Sequence, residues 1–251
     1  MFKVLIVKYK FEPLYKGSDR LVWDNSNVNL GFTAGVNKLL ATTANEDIVL
    51  LSDDADPQGD CLQILEKTAY SSPDIGIVQA KLRLPDGRID TTGHQWKTKM
   101  GLPVLIAGKG SGEMDHGQYD TPRDLPSCDL ACAFVKRSVI DRIGSLDTRF
   151  WHGFDDVDFS IRTRKAGFRI VFEPRAVAIH LRGVFTPNRG RGFINFGIRC
   201  NVERLKLYAK YHWWKLLAWA YMWNLVGIFV GAFKLHDVRY TLMKLRAVIP
   251  F

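Results

Sequence analysis

The sequence predicts an α/β sandwich built on a mainly parallel sheet. Three observations carry that reading. Short apolar runs alternate with amphipathic segments through residues 1–180. Most links between successive runs are about 10–20 residues long, enough for crossover connections. The run Ile48-Val49-Leu50-Leu51 leads straight into Asp53, Asp54 and Asp56. Carboxylates are thereby placed at the C-terminal end of a strand, where open α/β sheets bind ligands.

Taken in order, Val4–Val7 is the first strand. The polar stretch from Lys8 to Arg20 is too short for a full crossover helix. Leu21-Val22-Trp23 is a second short strand, ending in Asp24-Asn25-Ser26-Asn27, and a helix opens at Asn29 and runs to about Thr43. Ile48–Leu51 is a buried strand, short and β-branched at its start. Pro57 after Asp56 reads as a helix start with Asp56 as cap. That helix runs to about Tyr70, with Leu62, Leu65 and Ala69 on its apolar face. Ile75–Gln79 is a strand, and Pro85-Asp86-Gly87 turns a hairpin over Leu82–Thr92. From Lys97 to Pro126 the periodicity dissolves, as expected of a long functional loop such as a lid or an acceptor-side loop. Ala131–Val135 is a strand and Arg137–Ile143 a helix stopped at Gly144. A further helix spans about Val157 to Ala166 and is closed by Gly167. Phe168–Phe172 and Val177–Ile179 are two strands, the second ending at His180.

The chain has 251 residues, 47% of them hydrophobic, and a formal charge of +9. Residues 181–251 hold 12 Lys and Arg against 2 Asp and Glu, so the body is close to neutral and the tail carries the charge. Within the tail, Leu216 to Phe233 is free of formal charge, with Trp213, Trp214, Trp219 and Trp223 clustered at its start. Three readings stand for it: an interfacial helix pair with basic flanks, a span at the lower limit of length, or a helical hairpin packed on protein. The tryptophans do not interleave with the basic residues, which excludes a nucleic-acid clamp as the expectation. Cys61, Cys128, Cys132 and Cys200 have neither zinc-ligand nor disulfide-framework spacing, as in a reducing compartment. The apolar run after Met1 is too short for a secretory signal. The expected location is cytoplasmic and peripheral, with residues 199–251 on an anionic membrane surface.

Three acids cannot converge at a strand end cheaply unless something positive neutralises them, and a divalent metal carrying a phosphorylated substrate does so. Asp155, Asp156 and Asp158 form a second acidic cluster, and His180 ends a strand. Together these supply metal ligands and a spare base. Asp158 also stands four residues before Arg162, the spacing of a helical ion pair.

Four segments in register carry a resemblance. They are Asn29-x-Gly31-Phe32-x-x-Gly35-x-Asn37; Leu50-Leu51-Ser52-Asp53-Asp54; Pro85-Asp86-Gly87-Arg88; and Phe154-Asp155-Asp156-Val157-Asp158-Phe159-x-x-Arg162 through Gly167, then Pro174 to His180. In order and spacing, over roughly residues 4–210, the sequence resembles glycosyltransferase family 2, in its rhamnosyltransferase-like and galactofuranosyltransferase-like branch. The resemblance implies a GT-A fold over residues 1–198, followed by a helical, membrane-associating segment at 199–251. It implies an inverting, metal-dependent glycosyltransferase with Mn²⁺ or Mg²⁺ and a UDP-, dTDP- or GDP-linked sugar donor. The acceptor is a glycan or lipid-linked hydroxyl. By the same resemblance Asp54 is a metal ligand shared by both registers of the Asp-x-Asp motif. Asp56 is a ligand or a helix cap, and His180 is a third ligand. Asp156 is the catalytic base, and Trp151 and Asp155 orient the acceptor. Tyr9, Asp24, Asn25, Gly31, Asn37 and Asp53 lie on the donor side. Two departures stand out: the nucleotide-binding half is trimmed between Asp24 and Asn29, and Leu130 replaces a glycine that relatives tend to have. The alternative is a non-catalytic nucleotide-sugar or glycan-binding scaffold of the same fold.

Overall fold

The computed structural model describes residues 2–9, 12–99, 102–106, 108–151, 153–181 and 191–234. It divides into two compact units, Met1–Trp151 with Asp155–Phe185, and His152–Phe154 with Thr186–Phe251.

The first unit is built on strands β1 (Phe2–Lys8), β2 (Arg20–Asp24), β3 (Asp47–Ser52), β4 (Ala55–Pro57), β5 (Ile75–Arg83), β6 (Ile89–Thr91), β9 (Arg123–Asp124), β10 (Cys132–Val135) and β11 (Arg169–His180). The sheet order is β2-β1-β3-β10-β5-β11-β4, with β6 added on β5 and β9 on β11. β1, β2, β3, β5 and β11 run parallel, while β10 and β4 run against them. Four helices cover the sheet: α1 (Phe32–Leu40), α2 (Cys61–Ala69), α3 (Arg137–Ile143) and α4 (Asp155–Lys165).

Strict alternation along the strands assigns the faces. Leu5, Val7, Ile48, Leu50, Ile77 and Ala133 pack with Val36, Leu39, Val139 and Phe159 of α1, α3 and α4. Their neighbours Val4, Ile6, Val49, Leu51, Val78 and Phe134 pack with Leu62, Leu65 and Ala69 of α2. A sheet buried on both faces needs near-continuous apolar strands, and β3 supplies one. The predicted α/β sandwich is therefore the observed one. The hairpin at Pro85–Gly87 also stands: the Gly87 amide donates to the Leu84 carbonyl at 3.0 Å, and Gly87 takes φ +85°, which glycine adopts without strain. Helix α3 has the predicted bounds and stops at Gly144.

Four local expectations are corrected. Asp56 and Pro57 do not start a helix: Ala55–Pro57 pairs antiparallel with Ala178–His180, and α2 begins only at Cys61. β11 offers a row of edge amides and carbonyls, and satisfying these outweighs the local capping preference of Asp-Pro. Proline is tolerated there because β4 is the outermost strand. Second, Phe168–Phe172 and Val177–Ile179 are one strand, carried past Pro174 by a bulge between Glu173 and Val177. Third, the segment from Lys97 to Pro126 is not structureless. β7 (Gln95–Lys99) and β8 (Leu102–Ile106) form a separate two-stranded sheet, and β9 docks on β11. Fourth, α4 starts two residues early, at Asp155, so its first turn holds Asp155, Asp156 and Asp158 at the positive end of the helix dipole.

In the second unit, α5 (Arg191–Lys210) and α6 (Trp214–Lys234) are joined at Tyr211–Trp213. The Asn201 amide donates to Asn224 Oδ1 at 2.8 Å, a polar tie between the two helices. Leu216, Ala220 and Asn224 are buried, whereas Trp214, Met222, Trp223, Leu225 and Val226 are exposed along one face of α6. Among the described residues no helix is long and apolar enough to cross a membrane, so the span reading is not supported. The part of the basic tail at 235–251 lies outside the described residues. Among the described residues none of the four cysteines forms a disulfide.

Candidate active site

The parallel strands end on one rim, and antiparallel β10 begins there. Tyr9, Asp24, Asn25, Asp53, Asp54 and His180 all follow or close strands at that carboxyl rim, and Asp129 precedes β10 beside them. The Ser52 amide donates to the Ala131 carbonyl at 2.9 Å, which ties the Asp129 turn to the end of β3. A cavity of about 670 Å³ opens on the opposite rim, beside Asp47, Tyr70, Lys136 and Arg137, and contains none of the predicted site residues.

Of the three expected metal ligands the fold joins two. His180 Nε2 lies 3.1 Å from Asp54 Oδ1, and the Ser52 hydroxyl donates to the same oxygen at 2.6 Å. The register of β4 on β11, which sets His180 opposite Ala55, produces this contact. Asp90 on β6, which the sequence did not single out, lies 2.7 Å from His180 Nδ1 and is 1% exposed. A carboxylate behind a ligating histidine is how metal sites fix the ring. Burial raises the Asp54 carboxyl, but hydrogen bonds from His180 and Ser52 more than reverse this and hold it below the usual range. Burial likewise lowers His180, and the two carboxylates override it and raise the ring to about 10. A proton thus does the neutralising that a cation would do. The donor set fits a divalent ion: one carboxylate oxygen and one imidazole nitrogen, 3.1 Å apart, with an orienting acid behind. Asp56 is not brought to them. Its carboxylate accepts from the Gln58 amide at 2.8 Å, and among the described residues no three acidic, histidine or cysteine side chains converge as a metal cage.

The predicted donor residues are more dispersed. Asp53 Oδ2 accepts from the Tyr9 amide at 2.9 Å, joining the ends of β1 and β3; burial, and then Asp54, push the Asp53 carboxyl up. Asp24 accepts from the Ser26 amide and hydroxyl and pairs with Lys8 at 3.2 Å, and these contacts, Ser26 first, hold it down at about 2. Asn25 is 1% exposed and spends its side chain within its own loop, donating to Asn29 and the Gly31 carbonyl and accepting from the Leu30 amide. Gly31 sits at φ +86°, where a Cβ would stand 2.6 Å from both the Trp151 ring and its carbonyl. Only glycine allows that approach, so Gly31 and Trp151 are neighbours. Asn37 is elsewhere: both ends of its amide bond Leu146, locking α1 to the chain after α3.

The second acidic cluster divides its work. Asp158 is fully buried and pairs with Arg162 at 2.9 Å, the predicted structural role. Asp155 is 6% exposed at the start of α4. Asp156 keeps 22% of its side chain in contact with solvent. Burial, and then the charges of Asp155 and Asp129, raise it well above an ordinary aspartate. Facing it is a second residue that the sequence did not single out: His94 Nε2 lies 3.6 Å from Asp156 Oδ2. His94 follows Asp90 by four residues, so the short segment after the Pro85 hairpin serves both halves of the site.

No family model matches the chain. It is 28% identical over 181 residues to an uncharacterized protein, y4gI, of Sinorhizobium fredii, covering 66% of this chain and 18% of that one. It is 23% identical over 180 residues to an N-acetylglucosaminyl-diphospho-decaprenol L-rhamnosyltransferase of Mycobacterium tuberculosis, covering 62% of this chain and 57% of the relative. The chain thus spans only part of these relatives. Among solved structures, a mannosyltransferase from Pyrobaculum calidifontis in complex with GDP-Man and Mn²⁺ superposes with a TM-score of 0.52 at 15% identity, over 99% of this chain and 85% of that one. GalNAc-T7 with UDP, GalNAc and Mn²⁺ gives 0.51 at 12% identity, over 71% of this chain and 43% of that one. The sheet order and the neighbours in fold agree on the GT-A fold, and in sequence the chain is similar to proteins that include a named rhamnosyltransferase.

Proposed function

We propose that the chain is a metal-dependent, inverting glycosyltransferase that moves a sugar from a nucleoside diphosphate to an acceptor hydroxyl. The observation that carries this is the pairing, on one rim of a GT-A sheet, of a metal-ready Asp54–His180 couple with a separate carboxylate of raised basicity, Asp156. A divalent ion held by Asp54 and His180 would supply charge against the donor diphosphate. Asp90 holds the His180 ring for that task. Asp53 and the Tyr9 amide shape the donor side, and Trp151 against Gly31 borders the acceptor side. Asp156 takes the proton as the acceptor oxygen bonds to the anomeric carbon and the sugar–phosphate bond breaks. A single base opposite the leaving group is the arrangement of one in-line displacement, which inverts the anomeric centre. A raised pKa suits this, because a base works best when it titrates near the operating pH.

A thermal-shift screen of UDP-, dTDP- and GDP-sugars with Mn²⁺ or Mg²⁺ tests the donor site. A ligand at 100 times its Kd adds about 2.7 kcal/mol of stability. For a chain of this size that is a rise in Tm of about 5–10 °C. One nucleotide class is expected to produce the shift, and only with metal. No shift across the whole panel would refute the donor reading.

The alternative, a binding scaffold without catalysis, draws on Asn25, whose amide is spent inside its loop in the trimmed half of the fold. It leaves the raised Asp156 unexplained.

The acceptor is proposed to be lipid-linked at a cytoplasmic membrane face. The exposed apolar face of α6 carries Trp214 (59% exposed) and Leu225 (50%) in a basic tail, the composition of a helix lying in a headgroup layer. Flotation with anionic liposomes is expected to carry the full chain upward, and Trp214→Glu with Leu225→Glu to leave it at the bottom. Equal flotation of both forms would remove the membrane proposal.

A further inference from the structure

One buried nitrogen beside Asp156 lacks a hydrogen bond. His94 is 2% exposed, and among the described residues its Nε2 makes no hydrogen bond. Buried polar atoms are nearly always satisfied, so this one needs a reason. The opposite nitrogen is committed. Ser127 is fully buried and its Oγ lies 2.8 Å from His94 Nδ1, while the His94 amide donates to the Ser127 carbonyl at 3.1 Å. A buried hydroxyl must place its hydrogen on an acceptor, and among the described residues Nδ1 is the one that the Ser127 hydroxyl reaches. An imidazole that accepts at Nδ1 and is neutral carries its hydrogen on Nε2. Burial keeps the ring neutral, lowering its pKa against the opposing pull of Asp129. The network therefore assigns an Nε2–H, 3.6 Å from Asp156 Oδ2.

We propose that His94 is a positioning residue for Asp156, its Nε2–H closing onto Oδ2 when the acceptor is bound. Catalytic hydrogen bonds are often long before substrate arrives and tighten in the complex. Asp156 Oδ1 already accepts from the Val157 amide at 2.7 Å. With His94 on the other oxygen the carboxylate is clamped at both ends, and its remaining lone pairs are left for the incoming hydroxyl. The groups facing Asp156 include two negative charges, Asp155 and Asp129, both of which favour its protonation. The Nε2–H opposes them by stabilising the carboxylate. His94 gives up no proton: the acceptor's proton passes to Asp156, and the imidazole donates a hydrogen bond throughout. This inference rests on the reading of Asp156 as the base, but the geometry can be tested without any transfer reaction.

The experiment is NMR on the full chain. In wild type, ¹⁵N shifts of His94 are expected to show Nδ1 bare and Nε2 protonated; the opposite tautomer would overturn the proposal. The Asp156 carboxyl, labelled with ¹³C and identified by its loss in Asp156→Asn, is then titrated. His94→Phe, which fills the space without a donor, is expected to raise its pKa by about half a unit or more. His94→Gln, whose amide can donate from a similar position, is expected to restore most of the wild-type titration. An unmoved titration in the folded His94→Phe protein, or equal shifts in both variants, would overturn the proposal. If a transfer activity is found, the acidic limb of its kcat/KM profile moves with the titration in His94→Phe, while the donor KM does not. An absence of transfer with the titration shifts intact would count against the transferase reading and leave the clamp standing.

Discussion

Asp156→Asn is expected to lower kcat by about 10²–10⁴-fold, the usual range for a lost general base, with donor affinity in the presence of metal unchanged. The amide is nearly isosteric and can still accept from the Val157 amide, as Asp156 Oδ1 does at 2.7 Å. What it loses is the capacity to hold the acceptor's proton. The two acidic neighbours that raise Asp156 are not metal ligands in this arrangement, so the donor half should not register the change. Product formation by chromatography, paired with calorimetric titration of the donor, separates the two halves. Turnover retained in the variant would remove Asp156 from the chemistry.

Asp54→Asn should give the complementary result. Calorimetry is expected to show metal-dependent donor binding weakened by more than about 10-fold, since loss of an outer-shell partner alone costs 10–100-fold in metal sites. The asparagine keeps an oxygen that can accept from Ser52 and His180 but removes one of the two charges that raise His180 to about 10, the other being Asp90. Wild-type binding by Asp54→Asn would show that the diphosphate is neutralised elsewhere.

How far the sequence could carry these readings depended on how local each cause was. β3 and α3 were legible because their signals lie inside the element: an uninterrupted apolar run, and a glycine at the stop. β4 was not, because Asp56-Pro57 is a good helix start in isolation, and its pairing partners lie 121–125 residues later. The β7–β8 hairpin hid for another reason. Lys97 and Lys99 interrupt any apolar run, and among the described residues the strands pair only with each other. The same rule holds in the site. Asp54, Asp156 and His180 sit in segments whose spacing carries the family resemblance. Asp90 and His94 occupy a turn-rich stretch with no periodic signal, and their roles come from partners 90 and 62 residues away. Nothing short of the fold could have found them. Asn25 and Asn37 show the converse, since their motif positions are plain in the sequence and their amides serve the scaffold.

β4 follows β3 after only two residues, yet lies four places along the sheet, where it pairs with β11. So short a link spans at most about 10 Å, so the sheet must coil until the far end of β11 lies over the end of β3. Asp54 and His180 are therefore expected to be joined late in folding. Contacts of long sequence separation are formed slowly, because the loop entropy is lost before the contact compensates it. A nascent chain that has emerged only as far as α4 contains Asp156 but still lacks His180, one half of the proposed metal couple. On the proposed reading, β11 completes the couple that would meet the charged half of the donor.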